Sequence, residues 1–582
     1  MRAILRAGSG RTASWRWSSK VALIPFGEFR PDVSDLGQRH TQSVLNAVPI
    51  AAGYGPFPLF QSFTQAVGAA CRGAFLARVG DGSIAIFAAT ATKLYKLNNT
   101  TLVWADVSKG GASYTTLNTT AIWRFAQFND RVIAVQANAP PQYYDLGSSS
   151  AFADLAGSPP QAAYVTIVNR FVVLTGLASE PTRIQWSGLN DTEGWTSGTN
   201  LSDFQDLPDG GICQGAVGGD VGIILQETTI RRMVFSPGSD TVFQIDKIAV
   251  DIGLLIPNTL FTAGEKIFFL SAQGFQMLTF GGDRTPIGKE KVDKSFFAAY
   301  DESSQAVVQG AADPIRTLAY FTYRKPTDPT GLFSTILCYD WALQRWGKLE
   351  VSGEFLLTAA APGLTIEGLD ALAPGALSVA GTANNGSGLI RITVSSTAAL
   401  VSGNDYTLSA VGGTTEANGT WEITVIDATH FDLVGSTFAN AWTSGGVVGG
   451  FADSMTTSWD ALSSIALSKL AAFDSSHKMG FFSGNNLEAE IELAEQGAPR
   501  QAAFIRLVSP VTDADESYVS LARRERLSTT PAYTDEVEVN DLGLALVRAK
   551  TKFARLKLRI PEGAMWSYAT GIDPEGTGAG KR

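Results

Sequence analysis

Apolar and polar positions along the chain fall into short runs broken by turn residues. One beat recurs: a turn holding Gly, Asn or Asp, an apolar run, a short break, then a second run. It is seen in GDGSIAIFAATATKLYKL (80–97), FNDRVIAVQANAPPQYYDL (128–146), VNRFVVLTGLASEPTRIQWSGL (168–189), GGDVGIILQETTIRRMVF (218–235) and AGEKIFFLSAQGFQMLTF (263–280). It returns at ADPIRTLAYFTY (312–323) and, after a longer interval, at SSHKMGFFS (475–483). Taking Asp81, Asp130, Asn169, Asp220, Glu265 and Asp313 as turn markers gives intervals of 49, 39, 51, 45 and 48 residues. That is the length of one four-stranded blade. Helical periodicity is scarce here, and β-branched and aromatic residues dominate between turns. The pattern predicts an all-β fold with a β-propeller-like core over 71–369, because radial repetition leaves only short, protected strand edges. The alternative is an irregular array of β-sandwiches with accidental spacing.

Residues 386–450 follow another pattern, six short alternating runs separated by SGND, VGGTTEANG and DATH turns. With the Gly-, Ala- and Pro-rich flank at 368–386 they read as a small β-barrel or β-sandwich domain, 370–452, inserted into a propeller loop. The stretch 453–582 then supplies the last blade or blades and a platform of charged strands. In NLEAEIEL (486–493), Glu488, Glu490 and Glu492 share one strand face. In DEVEVN (535–540), Glu536 and Glu538 do the same, and in ARLKLRI (554–560) the face carries Arg555, Lys557 and Arg559. The basic strand has two readings: contact with a nucleic-acid backbone or acidic partner, or, favoured, cross-strand pairing with these glutamates.

Residues 1–70 form an extended N-terminal arm and docking segment. Its stretch NAVPIAAGYGPFP (46–58) cannot be helical, since Pro49, Pro56 and Pro58 remove donors and Gly53 and Gly55 favour turns. Val48, Ile50, Tyr54 and Phe57 nevertheless call for burial, so the segment must lie against something, with Tyr54 and Phe57 as its anchors. Upstream, Arg2, Arg6, Arg11, Arg16, Lys20 and Arg30 face a single acid, Glu28. This start is either a solvated or partner-bound arm or a DNA contact. The longest apolar run there, Val21 to Phe26, is too short and too proline-broken for a signal peptide. Synthesis in a cytoplasm without the usual export is the expectation.

Hydrophobic residues make up 45% of the 582 and charged ones 17%, which marks a folded rather than a solvated chain. The net charge of −10 argues against a protein that grips nucleic acid over its whole surface. Cys71, Cys213 and Cys338 are too few and too far apart for a disulfide framework and read as buried thiols. His40, His430 and His477 are scattered and read as surface or turn residues. No P-loop, zinc-protease or serine-hydrolase motif occurs, and SGLNDTEGWT (187–196) departs from the aspartate-box spacing of sialidases. No catalytic, metal or cofactor residues are therefore assigned, and the chain is read as a non-enzyme.

Four stretches together resemble the tail nozzle, or tail tubular, proteins of short-tailed bacteriophages (podoviruses). FGEFRPDVSDLG (26–37) with LNAVPIAAGYGPFP (45–58) is similar to the family's opening, and RIQWSGLNDTEGWT (183–196) and QETTIRRMVFSPGSDTVFQIDKIAVDIGLL (226–255) to propeller segments. ARLKLRIPEGAMWSYATGID (554–573) is similar to its close. The stretch TTEANGTWEITVIDATHFDL (414–433) resembles a small β-barrel module of phage tail proteins. The resemblance implies a virion protein, assembled in the host cytoplasm into a homo-oligomeric ring, commonly a hexamer. Its partners would be the adaptor ring, tail fibres or spikes and, at ejection, the host envelope. Double-stranded DNA would pass through its lumen without sequence-specific binding. An acidic wall would repel phosphate, and Glu488, Glu490 and Glu492 are candidates to face the channel. The rival expectation is a glycan-binding or glycan-degrading propeller of a tail fibre or adhesin.

Overall fold

The computed structural model describes residues 23–581 apart from 38, 81, 240, 362–376, 398–399, 401, 404, 450–467 and 498–500. Arg2, Arg6, Arg11, Arg16, Lys20 and Asp81 lie outside the described residues. The chain forms two compact units: a β-propeller continuous with a two-sheet platform, and a closed β-barrel.

Seven sets of four antiparallel strands build the propeller. Their first strands are Ala74–Arg78, Arg124–Phe128, Ala162–Val168, Cys213–Val217, Phe261–Ala263, Gly310–Asp313 and Phe355–Ala359. Six sets are separate four-stranded sheets, and the set beginning at Gly310 is one end of a ten-stranded sheet. Phe355–Ala359 lies beside Ala74–Arg78, so the series closes on itself. Between the fourth and fifth sets, Ile223, Leu225 and Ile230 pack on Ile267, Phe269 and Leu278. Strands in the middle of a blade are covered on both faces: Ile84–Ala89, Leu318–Tyr323 and Thr335–Asp340 are buried at every position. Hence they read as continuous apolar runs rather than alternations.

The turn markers sit in equivalent hairpins. Asn129 (φ 51°) and Asp130 join Phe128 to Arg131, Asn169 (φ 54°) and Arg170 join Val168 to Phe171, and Gly264 (φ 59°) and Glu265 join Ala263 to Lys266. Residues able to take positive φ are what two-residue hairpins require. Asp220 lies at the same first-to-second connection of its set, and Asp313 ends the first strand of its set.

Pro58–Ala66 supplies the fourth strand of the last blade, beside Lys478–Asn486, so a segment near the chain's start closes the ring. Glu354 fixes the same junction. Its buried carboxylate accepts from the Cys71 amide at 3.0 Å and contacts His477 Nδ1 at 2.7 Å, and burial raises its pKa.

The 46–58 stretch is a β-hairpin, Ala47–Ile50 with Gly53–Pro56, pairing Val48 with Gly55 and Pro49 with Tyr54. It stitches blade to platform, since Ala47 pairs with Lys348 and Tyr54 with Ala569. Gly53 (φ 132°) is required there, because a Cβ would stand 2.1 Å from the Ala569 carbonyl oxygen. Within the segment expected as an extended arm docking on its own propeller or on a neighbouring subunit, the four strands between Thr41 and Ala66 are integral to three sheets. From the hairpin the ten-stranded sheet continues through Ala569–Lys581, Gln501–Thr512 and Ala549–Thr551. A seven-stranded sheet, ordered Thr41–Leu45, Ala489–Leu493, Phe553–Ile560, Tyr518–Arg524 and Ala532–Tyr533, with Gln496–Gly497 and Val537–Glu538 paired to its side, packs on it. Val44, Ile491, Leu556, Leu558 and Val519 share one core with Ile505, Val508, Ala569, Ile572, Tyr54 and Trp346.

The barrel is formed by Leu377–Asn384, Ile390–Val394, His430–Leu433, Gly419–Val425, Asp405–Ser409 and Val447–Gly449, in that spatial order. Ile390, Ile392, Leu408, Ile423, Phe431 and Leu433 fill its own core. The three cysteines are buried free thiols.

Candidate functional site: a charge-paired platform

Alternation places Glu488, Glu490 and Glu492 on one face of their strand and Arg555, Lys557 and Arg559 on the same face of the next. Register decides what they do. Glu490 lies directly across from Arg559 and Glu492 across from Lys557, while the ion pairs form on the diagonal. Arg555 bonds Glu492 at 2.7 Å, Lys557 bonds Glu490 at 2.7 Å, and Arg559 bonds Glu488 at 3.0 Å and Glu536 at 2.8 Å. Tyr518 and Tyr533 from neighbouring strands cover the cations, with the Arg559 guanidinium 4.4 Å from the Tyr518 ring centre and the Lys557 ammonium 5.3 Å from that of Tyr533. Hydrogen bonding by Glu536 raises the Arg559 pKa. Burial, reinforced by Glu492, holds the Tyr533 hydroxyl protonated above the ordinary phenol range.

Glu488, Glu490 and Glu492, the candidates for a channel wall, do not form a strip of unpaired acids. Each of these three carboxylates has a cation of the adjacent strand within bonding distance, so none of them stands as a free charge. The cross-strand reading of Arg555, Lys557 and Arg559 is the observed one. Burial grades the ladder from Glu492, whose side chain is 13% exposed, to Glu488 at 48%. A double-mutant cycle on Glu492 and Arg555 should accordingly give a coupling of roughly 1–2 kcal/mol, and one on Glu488 and Arg559 less than about 1, read by urea denaturation. Equal couplings would contradict the grading.

Residues that sequence reasoning left unassigned lock the ladder to the chain's opening. Asp35 pairs with Arg555 and accepts from the Glu495 amide at 2.9 Å. Asp32 accepts from the Lys294 and Ser295 amides at 2.8 Å each, capping the helix Asp293–Ala299 from far along the chain. Glu495 is buried against Arg524. The signal was the spacing of the two aspartates in RPDVSD, but their partners lie more than two hundred residues away. Tyr54 and Phe57 are both buried, in separate cores.

Four exposed apolar side chains border the ten-stranded sheet. Leu542, Leu546, Met565 and Tyr568 stand on two loops bordering the strand Gln501–Thr512. These loops are tied down: Asp513 accepts from the Ser567 and Tyr568 amides at 2.8 and 3.0 Å, Asp515 from the Met565 amide at 2.9 Å, and Ser509 Oγ donates to the Gly543 carbonyl at 2.8 Å.

No protein-family model and no curated protein sequence matches the chain. Among solved structures it is similar to U3-55K (9% identity, 65% of this chain and 100% of that one, TM-score 0.33). It is also similar to the Neurospora crassa Pan2 WD40 domain (10%, 48% and 79%, 0.30) and to the RRP9 WD40 repeats (8%, 58% and 92%, 0.31). In class the chain is an all-β propeller protein with an additional closed barrel.

Proposed function

We propose that this chain is a structural subunit of the nozzle ring of a short phage tail, attached to an adaptor ring and fibres, that retains and then conducts DNA. The observation that carries the reading is where the resembling stretches meet. The opening pair (26–37 and 45–58) and the closing stretch (554–573) lie some five hundred residues apart, yet they pair directly, Tyr54 with Ala569 and Asp35 with Arg555. The opening and closing stretches of the resemblance thus build one physical unit, the platform. Its loops, held by Asp513, Asp515 and Ser509, present Leu542, Leu546, Met565 and Tyr568 to solvent. In a ring, the neighbouring copy covers them.

Negative-stain imaging of the purified full chain, alone and with its adaptor ring, tests the reading: rings with an open axial pore are expected. A monomer that releases sugar from host glycan would replace it with the glycan-degrading alternative. Because the barrel has its own closed sheet and core, deletion of 370–452 should leave ring formation and the thermal transition of the remainder intact, checked by imaging and calorimetry. Loss of rings on deletion would make the insert part of the assembly.

A further inference from the structure

A cavity of ≈ 220 Å³ lies among the first strands of the second, third and fourth blades and the segment that enters the fifth. First strands neighbour one another around the propeller, so this cavity sits on its inner side. Its twelve lining residues include no carboxylate in a chain of net charge −10, and their single charged member is Arg124. Among the described residues, the Arg124 guanidinium is held by neutral oxygens only. Nη2 donates to the Pro257 carbonyl and to Asn258 Oδ1, each at 2.8 Å. Asn258 is itself fixed, its Nδ2 donating to the carbonyls of Thr120 and Gln305, both at 3.2 Å. That leaves Nε–H and the two Nη1 hydrogens uncommitted. The guanidinium stands 5.8 Å from the centre of the Tyr164 ring. Tyr164, Thr166 and Thr262 belong to the same lining, as do Gly215 and Gly218.

We propose that this cavity is a binding site for a phosphate group, either the free ion or that of a small phosphorylated metabolite. A partly exposed guanidinium whose hydrogen-bond partners are all neutral keeps its charge uncompensated, and an entering anion supplies the missing charge. Burial already lowers the Arg124 pKa, with only Tyr164 opposing it. Its planar fork favours an oxyanion over a spherical halide. Tyr164 and Thr166 on one strand and Thr262 on another bring further hydroxyl-bearing residues to the cavity. The volume, below the roughly 300–1,000 Å³ of pockets for drug-sized molecules, limits the ligand to an ion or a small metabolite. The site lies within one chain and does not rest on the ring reading.

Calorimetric titration of the full chain tests this, with inorganic phosphate in one arm and ribose 5-phosphate in the other, at ionic strength held constant with chloride. Saturable binding at one site per chain is expected. It should weaken at least about tenfold in Arg124→Gln, the loss expected for a charge-assisted contact, and by a few-fold in Thr166→Val. Saturation in the phosphate arm assigns the free ion, and saturation by ribose 5-phosphate alone assigns a phosphorylated metabolite. Circular dichroism checks folding, because Arg124 also ties its strand to the 257–258 turn; should Arg124→Gln not fold, Thr166→Val and Tyr164→Phe carry the readout. No saturable heat in either arm up to about 20 mM ligand, or binding that the folded variants leave unchanged, overturns the proposal.

Discussion

The double variant Tyr54→Ala/Phe57→Ala is expected to lose most of the propeller unit's stability, appearing as an early, broadened denaturation and as aggregation on size exclusion. The two rings serve different cores. Tyr54 is fully buried between the platform sheets, its hydroxyl donating to the Gly27 carbonyl at 3.1 Å and the Arg345 guanidinium 5.0 Å from its ring centre. Phe57 packs on Phe482 at 5.0 Å and Tyr320 at 6.3 Å between ring centres, where the last two blades meet. Truncating a buried aromatic to Ala costs about 3–5 kcal/mol, and a domain's total stability is about 5–15. Because the rings share no core cluster, their costs should roughly add.

Tyr54→Phe separates packing from polarity. The Gly27 carbonyl also receives Arg345 Nη2 at 2.9 Å and Thr41 Oγ1 at 2.9 Å, so loss of the hydroxyl orphans nothing and should cost only about 0.5–1 kcal/mol. Burial pushes the Tyr54 hydroxyl up to about 12, with Arg345 opposing, so it stays neutral across the working pH range. A double variant that unfolds at the wild-type denaturant concentration would reduce the hairpin to a tether.

What was readable in the sequence followed from local chemistry. Asn129–Asp130, Asn169 and Gly264–Glu265 announce hairpins because their backbone must take positive φ, and buried middle strands announce themselves as apolar runs. The same locality explains the gaps. Pro58–Ala66 looks like part of an arm until its partner, Lys478–Asn486, is known, and no short-range signal ties the two. The charged strands were legible as alternations with two open readings, and only the diagonal register of Glu490 and Glu492 on Lys557 and Arg555 chooses between them. Arg124 stands in a half-exposed strand where an arginine signals nothing. It becomes a site only because four chain segments converge on it.

Glu495→Ala should be the most costly single charge deletion in the platform, about 3–5 kcal/mol. The Glu495 side chain is 1% exposed and forms a two-pronged pair with Arg524, Nε to Oε1 at 2.7 Å and Nη2 to Oε2. Removal of the carboxylate leaves a guanidinium that cannot swing out freely, since Nη1 also donates to the carbonyls of Leu527 at 2.8 Å and Thr529 at 3.1 Å. Relaxation toward water would therefore unlatch the 524–529 turn, and the cost appears either way. Removing both charges separates the two contributions to that cost. In Glu495→Ala/Arg524→Met no buried charge is stranded, so the pair of substitutions should be less damaging than Glu495→Ala alone, although the turn loses its donors. Guanidinium-free urea melts of the three proteins measure this without screening the pair. A double variant no more stable than Glu495→Ala would mean that the turn contacts, not the stranded charge, set the loss.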